Sequence, residues 1–425
     1  MFQSFLKKLK IIFTDRNLVT RIVFIFAILI VFRALTAIPV PGVNVAELAQ
    51  FLNNNQFFGF LNIFSGGGLT NLSIVLLGVG PFITASIIMQ LLTLMFPKLK
   101  ELYHESGEMG RRTFNQYSRY LTVLLAIIQG VALLAVLANK GIVPALPQPQ
   151  AIINVAIVVG GSFLMMWLGE LISEFGIGNG VSIIIFAGIV ARIPNDVNQA
   201  IFAYDPSQLP IYIGFLIVAI LLVAGVVMIT EAERPVPVTY AKQQARAGYV
   251  TTSTSTHIPL RVNQAGVMPI IFALSILMFP RMIATAVSHA KVAWLAAAGN
   301  AVASFLSNQL YYAILYFILV FVFTYFYTAV TFDAEALANN LQKGGGFIPN
   351  VRPGIPTAEH VGKIMTRITF FGGLFLAFVA VLPQIFQGIT GNQTFAIGGT
   401  ALLIVVSVII DLLKKLSAQA SMAEY

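Results

Sequence analysis

The sequence predicts an all-α polytopic membrane protein, with ten transmembrane helices in two inverted five-helix halves, and three observations carry that expectation. Hydrophobic residues make up 58% of the 425 positions and charged residues only 10%, with a mean hydropathy of +0.86. A soluble domain of this length cannot hide so much apolar surface, so lipid is the solvent the chain requires. The apolar residues gather into runs of about the 20 residues that a bilayer-crossing helix needs. When those runs are taken to alternate in direction, twenty of the 25 Lys and Arg residues fall on one side of the membrane.

The ten runs are Leu18–Ile38, Ile74–Phe96, Tyr120–Leu137, Ile152–Ile172, Ile177–Ile193, Ile211–Ile229, Val267–Val287, Leu310–Val330, Ile368–Phe386 and Phe395–Leu413. The fifth is the weakest, being short and interrupted by Gly178, Gly180 and Gly188. Trp294–Leu306 is apolar but too short to span, and is expected to lie in a loop. The cation-poor side holds only Arg33, Lys140, Arg192, Arg281 and Lys291. Because cytoplasmic segments carry the excess of Lys and Arg, both termini are expected on the cytoplasmic side of the cell membrane.

Ahead of the first run, Phe2, Phe5, Leu6, Leu9, Ile12 and Phe13 recur at helical spacing, with Lys7, Lys8 and Lys10 on the other face. This spacing predicts an amphipathic helix at the membrane surface within residues 1–17, the alternative being a frayed tail. No small-x-small cleavage site follows the first run, which leaves through Pro39-Val40-Pro41-Gly42, so the run is expected to stay in the mature protein. Ten spans divide into residues 18–201 and 211–416, joined by an external linker at 202–210 and followed by a cytoplasmic tail at 417–425. Five spans per half make the halves start on opposite sides. Any repeat is therefore inverted, an arrangement that leaves a shared path between the halves.

The two long cytoplasmic loops, 230–262 and 331–366, both lie in the second half. Pro235-Val236-Pro237-Val238-Thr239-Tyr240 and Lys343-Gly344-Gly345-Gly346 followed by Phe347-Ile348-Pro349 suit hairpins. Such loops serve either as solvated linkers or as a docking surface, and their basic, structured composition favours docking.

The residues for catalysis are missing. There is no phosphate loop of the G-x-x-x-x-G-K-[ST] type, and cysteine is absent. His104-Glu105 lacks a second histidine, and Ser4-Phe5-Leu6-Lys7 sits in the amphipathic tail. No cofactor or metal is expected. The middles of the second, fifth, seventh and tenth spans carry no ionisable residue, whereas ion-coupled transporters place such groups near mid-membrane. An inverted-repeat secondary transporter of a small solute is the competing reading, and this pattern disfavours it. Before the second span, Asn62-Ile63-Phe64-Ser65-Gly66-Gly67-Gly68-Leu69-Thr70-Asn71 is half apolar and glycine-rich. It suits either a re-entrant segment or a surface turn.

Essentially end to end, the chain resembles the SecY family of protein-conducting channel subunits. The resemblance is carried by Ala37-Ile38-Pro39-Val40-Pro41-Gly42, by Asn62–Gly68, and by Glu105-Ser106-Gly107-Glu108-Met109-Gly110-Arg111-Arg112. It continues through Gly176-Ile177-Gly178-Asn179-Gly180-Val181-Ser182, Ser255-Thr256-His257-Ile258-Pro259-Leu260-Arg261 and Ile348-Pro349-Asn350-Val351-Arg352-Pro353-Gly354. The resemblance implies an hourglass pore between the halves, through which unfolded secretory polypeptides cross and from which transmembrane segments leave sideways into lipid. It maps the pore ring onto Val79, Ile83, Val181, Ile185, Ile271 and Ile404. A ring of aliphatic side chains closes around a passing chain and dewets when empty.

By the same resemblance, residues 57–72, centred on Asn62–Asn71, form a re-entrant plug. Thr84, Gln129 and Asn263 form a small polar cluster at a lateral gate. Lys242, Arg246, Arg261 and Arg352 dock a motor or ribosome. Gln243 departs from the basic residue that often occupies that point in the family. The partners it implies are SecE and SecG, the SecA motor that hydrolyses ATP on behalf of a channel that is itself no enzyme, the ribosome, signal sequences and nascent polypeptides, membrane lipids, and SecDF and YidC.

Overall fold

The computed structural model describes residues 14–41, 56–104, 106–139, 148–202, 206, 209–240, 255–288, 293–390 and 393–423. The surface helix expected within residues 1–17 lies outside these save for its end, and so does most of the linker expected at 202–210.

Each of the ten expected spans falls on a helix. They are α1 (Arg16–Thr36), α3 (Gly80–Met95), α5 (Gly107–Asn139), α6 (Gln148–Phe175), α7 (Gly180–Phe202), α8 (Leu209–Glu231), α9 (Met268–Val287), α11 (Gln309–Thr331), α13 (Ile355–Thr390) and α14 (Gln393–Ala423). Shorter helices intervene: α2 (Gln56–Phe64), α4 (Pro97–His104), α10 (Ala293–Ser307) and α12 (Ala334–Lys343). Helix ends follow side-chain chemistry. The Asp15 carboxylate accepts the Asn17 N–H at 2.9 Å to start α1, and Asn308 accepts the Leu310 N–H at 3.0 Å to start α11.

Among the described residues, seven helices are long and apolar enough to cross a membrane, and α3 and α4, bent by 113° at their junction, pass the same test only when taken together. The apolar part of α7 is shorter, Gly180–Pro194, as its glycines led one to expect. The chain is a multi-pass membrane protein. Its helices differ in how they meet lipid: 11% of the apolar window of α8 is buried, against 61% for α13. So α8 faces lipid, and α13 is the centre of the second half.

Three expectations change. The second span was expected from Ile74, but α3 begins at Gly80, with Pro81 in its first turn. Residues 74–79 instead form turns, because Gly78 takes a φ of +55° and lies against the backbone of Phe64 and Ser65. Trp294–Leu306 is not an irregular loop but most of α10, which packs on α9 and α11. At 15 residues it reaches about 22 Å and cannot span.

The second cytoplasmic loop is not a hairpin either. It folds as α12, a turn at Gly344–Gly345 and a two-residue strand, β3 (Gly346–Phe347). The first loop does form the expected hairpin, from β1 (Glu233–Tyr240) and β2 (Ser255–Arg261), paired antiparallel from Glu233↔Arg261 to Thr239↔Ser255. β3 meets β1 only at Thr239 and Tyr240, so over Pro235 and Pro237 strand β1 has a single neighbour, which is where a strand tolerates proline. The two loops thereby join into one platform. It has its own small core of Val236, Val238, Leu260, Leu341, Ile348 and Val361, separate from the membrane core.

Within the first half, α3 packs on α5, α5 on α6 and α6 on α7. Within the second, α11 packs on α13, and α14 on both α13 and α8. Among the described residues the halves meet where α9 lies along α3 and α5 and where α14 lies along α7 and α2.

Candidate pore, plug and gate

All ten residues of the segment Asn62–Asn71 are described, and the segment folds back on itself. Helix α2 ends at Phe64, and Gly66 and Gly67 turn the chain with φ values of +64° and +89°, a conformation that glycine adopts without strain. Asn62 organises the turn. Its Nδ2 donates to Thr70 Oγ1 at 2.7 Å, its Oδ1 accepts the Thr70 N–H at 3.2 Å, and its carbonyl accepts the Gly67 N–H at 2.9 Å. The Ser65 hydroxyl donates to the Asn62 carbonyl at 3.1 Å and accepts the Leu69 N–H at 3.1 Å. These bonds satisfy the backbone of a segment that is buried from Leu61 to Leu69 and exposed only at Thr70 and Asn71. A non-helical backbone at membrane depth needs such shielding.

The same segment is fastened to the rest of the first half. Asn71 Nδ2 donates to the Thr36 carbonyl at the end of α1 at 3.3 Å. The Val40 N–H donates to the Leu72 carbonyl at 2.7 Å, and the Ile74 N–H to the Ile38 carbonyl at 2.9 Å. The Ser162 hydroxyl of α6 donates to the Gly78 carbonyl at 2.8 Å. Gly66 lies against the Phe32 ring of α1 and the backbone of Gly188 on α7. A Cβ on Gly188 would come within 2.2 Å of Gly66 Cα. Phe32 and Ser162 were not singled out from the sequence, and Gly188 was noted only as a glycine in the fifth apolar run. Only the small size of Ser162 and Gly188 signalled a close approach.

The six ring positions come from four helices and both halves: Val79 and Ile83 at the start of α3, Val181 and Ile185 in α7, Ile271 in α9 and Ile404 in α14. Five of them are at most 4% exposed and belong to one hydrophobic core; Val181 is half-buried and packs against that core. Val181 also lies against Gly169 of α6, its Cγ2 3.2 Å from where a Cβ there would stand.

Thr84 and Gln129 line one small cavity where α3 and α5 face α9, with Leu61 and Phe64 of α2 as further walls. The polar residue that α9 brings to it is Ser275, one turn from Ile271. Asn263 is not among the residues around that cavity. It stands ahead of α9, buried, with its Nδ2 donating to the Gly266 carbonyl at 3.2 Å. Ser275 escaped the sequence reading because a lone serine in an apolar run most often bonds back to its own helix.

Of the docking residues, Lys242 and Arg246 lie outside the described residues. Arg261 ends β2 and pairs with Glu233 across the hairpin, Nε to Oε1 at 3.2 Å, with both side chains exposed. Arg352 is exposed on the turn before α13, where its carbonyl accepts the Thr357 hydroxyl at 2.8 Å.

The family profile of SecY matches residues 73–413, more than half of the chain. The chain belongs to the SecY family. It is 37% identical over 450 residues to the protein translocase subunit SecY of Mycobacterium tuberculosis, covering 100% of this chain and 99% of that one. It is 41% identical over 429 residues to the protein translocase subunit SecY of Halalkalibacterium halodurans, covering 97% of each. Solved SecY-family structures share the fold at 18% identity. One, described as a SecY protein whose plug domain stabilises the closed state of the translocation channel, gives a TM-score of 0.67 over 95% of this chain and 92% of that one. Another, the Sec61 of a canine ribosome-channel complex, gives 0.60 over the same shares.

Proposed function

We propose that this SecY-family chain is the protein-conducting channel of the cytoplasmic membrane, passing unfolded polypeptides across it and releasing transmembrane segments sideways into lipid. The observation that carries the reading is a set of aliphatic side chains that come from both halves and share one core, beside the self-bonded segment at the end of α2, which packs on α7 and α14. Val79, Ile83, Val181, Ile185, Ile271 and Ile404 act as the constriction, residues 57–72 as the plug, and 18–201 and 211–416 as the two halves. A constriction of this chemistry has no sequence preference, which suits a conduit for many different chains. The α3–α5–α9 seam is the lateral gate, with Thr84 and Gln129 in it. Asn263 stands ahead of α9, where it braces the entry to that helix.

Both termini lie in the cytoplasm under this reading, and the platform of β1–β3 and α12 projects there. Its separate core makes it a rigid docking surface for the SecA motor, which supplies ATP hydrolysis, and for the ribosome. SecE and SecG complete the membrane complex, with SecDF and YidC as further partners. Arg352 and Arg261 belong to the docking surface, along with Lys242 and Arg246. Arg352→Glu is expected to lower SecA-driven translocation into reconstituted vesicles at least tenfold while leaving membrane insertion of the protein unchanged. Undiminished translocation would remove Arg352 from the docking role.

Site-specific crosslinking of a stalled secretory chain decides the channel reading. Photoreactive groups at Ile83 and Ile271 are expected to label the chain, and one at Ile220, exposed on α8, is not. Equal labelling at all three would return the chain to the solute-transporter reading.

A further inference from the structure

We propose that a single buried water molecule sits in the seam between the halves, held by Ser275, Gln129 and Thr84. The cavity they line has a volume of about 20 Å³. A water needs about 10–15 Å³ of such space and two to four polar partners, while a cavity lined only by hydrocarbon stays dry. Here three helices each contribute one polar side chain: Thr84 from α3, Gln129 from α5 and Ser275 from α9, all of them at most 6% exposed.

Ser275 makes the argument specific. Several hydroxyls elsewhere in the spans bond to the carbonyl one turn back: Thr122 to Ser118 at 2.7 Å, Thr285 to Arg281 at 2.8 Å, Thr324 to Val320 at 2.7 Å. Ser275 does not. Its Oγ is buried and meets no hydrogen-bonding group of the protein. A buried hydroxyl left so is unfavourable, and Ser275 lines the cavity. Thr84 gives its proton to the Gly80 carbonyl at 3.0 Å, which leaves its oxygen as an acceptor. The Gln129 amide supplies a donor and an acceptor. One water donating to Thr84 and joined to both Ser275 and Gln129 satisfies all three.

The site bears on gating, a consequence that rests on the seam being the gate. The polar groups of the two halves then meet through a water rather than directly. A bridging water is nearly as good enthalpically as a direct bond, and groups that part can each keep a water as partner. The seam is closed by a contact that separation does not leave unsatisfied.

The test uses two methionines that line the same cavity, Met278 and Met282. Synchrotron hydroxyl-radical footprinting of the purified complex in lipid nanodiscs oxidises side chains beside bound water even when they are shielded from bulk. Met282 is 3% exposed and Met278 8%, against 0% for Met165 and 1% for Met166 away from the cavity. Met278 and Met282 are expected to oxidise at least fivefold faster than Met165 and Met166, at a rate insensitive to a bulk radical scavenger. Ser275→Val, which is close in shape but offers no hydroxyl, is expected to bring that rate down to the control level. Equal rates in the unaltered protein, a rate that falls with scavenger, or no change in Ser275→Val would each overturn the proposal. The first comparison needs no variant, so a folding defect cannot mask the result. Because it reads water alone, it can fail while the crosslinking test of the channel succeeds, and the reverse.

Discussion

The segment from Asn62 to Val79 is tied to its own half by hydrogen bonds to α1 and α6 and by glycine contacts that bring backbones together, whereas the two halves meet each other along α3, α5 and α9 through apolar packing around a small, mostly apolar cavity into which three polar side chains reach. One hydrogen bond that crosses between halves, from the Ser182 hydroxyl to Met268 Sδ, is 3.9 Å long and correspondingly weak. In the proposed channel both regions close the same path, but the first is fixed by directional bonds to its own half and the second chiefly by apolar packing. This sets the motion of each: a plug so fastened would leave its seat as a unit when its backbone contacts break together, while the seam would part by sliding apolar surfaces whose few polar groups can each keep a water as partner.

The largest effect is expected where the plug seat has no room. In Gly188→Val the new Cβ would come within 2.2 Å of Gly66 Cα, and neither neighbour is a flexible side-chain tip that could move aside. Overpacking of this kind costs about 1–3 kcal/mol, and 1.4 kcal/mol is a factor of about ten in an equilibrium. Resting ion conductance in planar bilayers should rise about tenfold or more; a tight resting channel would mean that α7 does not seat the plug. Ser162→Ala sharpens the same side of the comparison. It leaves the buried Gly78 carbonyl without its 2.8 Å donor, at a cost of about 1–3 kcal/mol that local rearrangement relieves in part. A leak several-fold above that of the unaltered protein is expected, smaller than for Gly188→Val. A leak larger than that of the glycine variant would reverse the order of the two contacts.

The helices were legible because each had to be built from a run of apolar residues, and lipid admits few alternatives to a helix. Even the first cytoplasmic hairpin could be read, from Val236 and Val238 alternating with prolines. What escaped was what depends on a partner distant in sequence. Nothing local says that Ile74 to Val79 leave the helix, since Gly78 turns there only because Phe64 and Ser65 lie against it. Residues 331–366 became a helix and a strand because β1 offered an edge at Thr239 and Tyr240. Composition marked Asn62–Asn71 as unusual but left two readings open; the bonds from Asn62 to Thr70 are what make it a compact unit. In the seam, Thr84 and Gln129 were recognisable through resemblance, but the residue opposite them was not. Which face of α9 a serine occupies is a property of packing, and Ser275 looks like any other small residue in that run.

The smallest effect tests the seam. Thr84→Val, Gln129→Leu and Ser275→Val together replace the polar groups of the cavity by apolar ones of similar size. Polar contacts between membrane helices are worth about 1 kcal/mol, and exchanging a polar set for a well-shaped apolar one is often neutral or stabilising. The closed seam should therefore hold slightly better in the triple variant. Translocation driven by a weakly hydrophobic signal sequence is expected to fall about fivefold, a strongly hydrophobic signal should be little affected, and resting conductance should stay low because the plug contacts are untouched. This separation of readouts is the substance of the comparison. If the seam variant leaks ions, or if Gly188→Val changes signal-sequence stringency by as much as it changes conductance, then plug and seam are one mechanical element, and the difference in how they are fastened has no functional meaning.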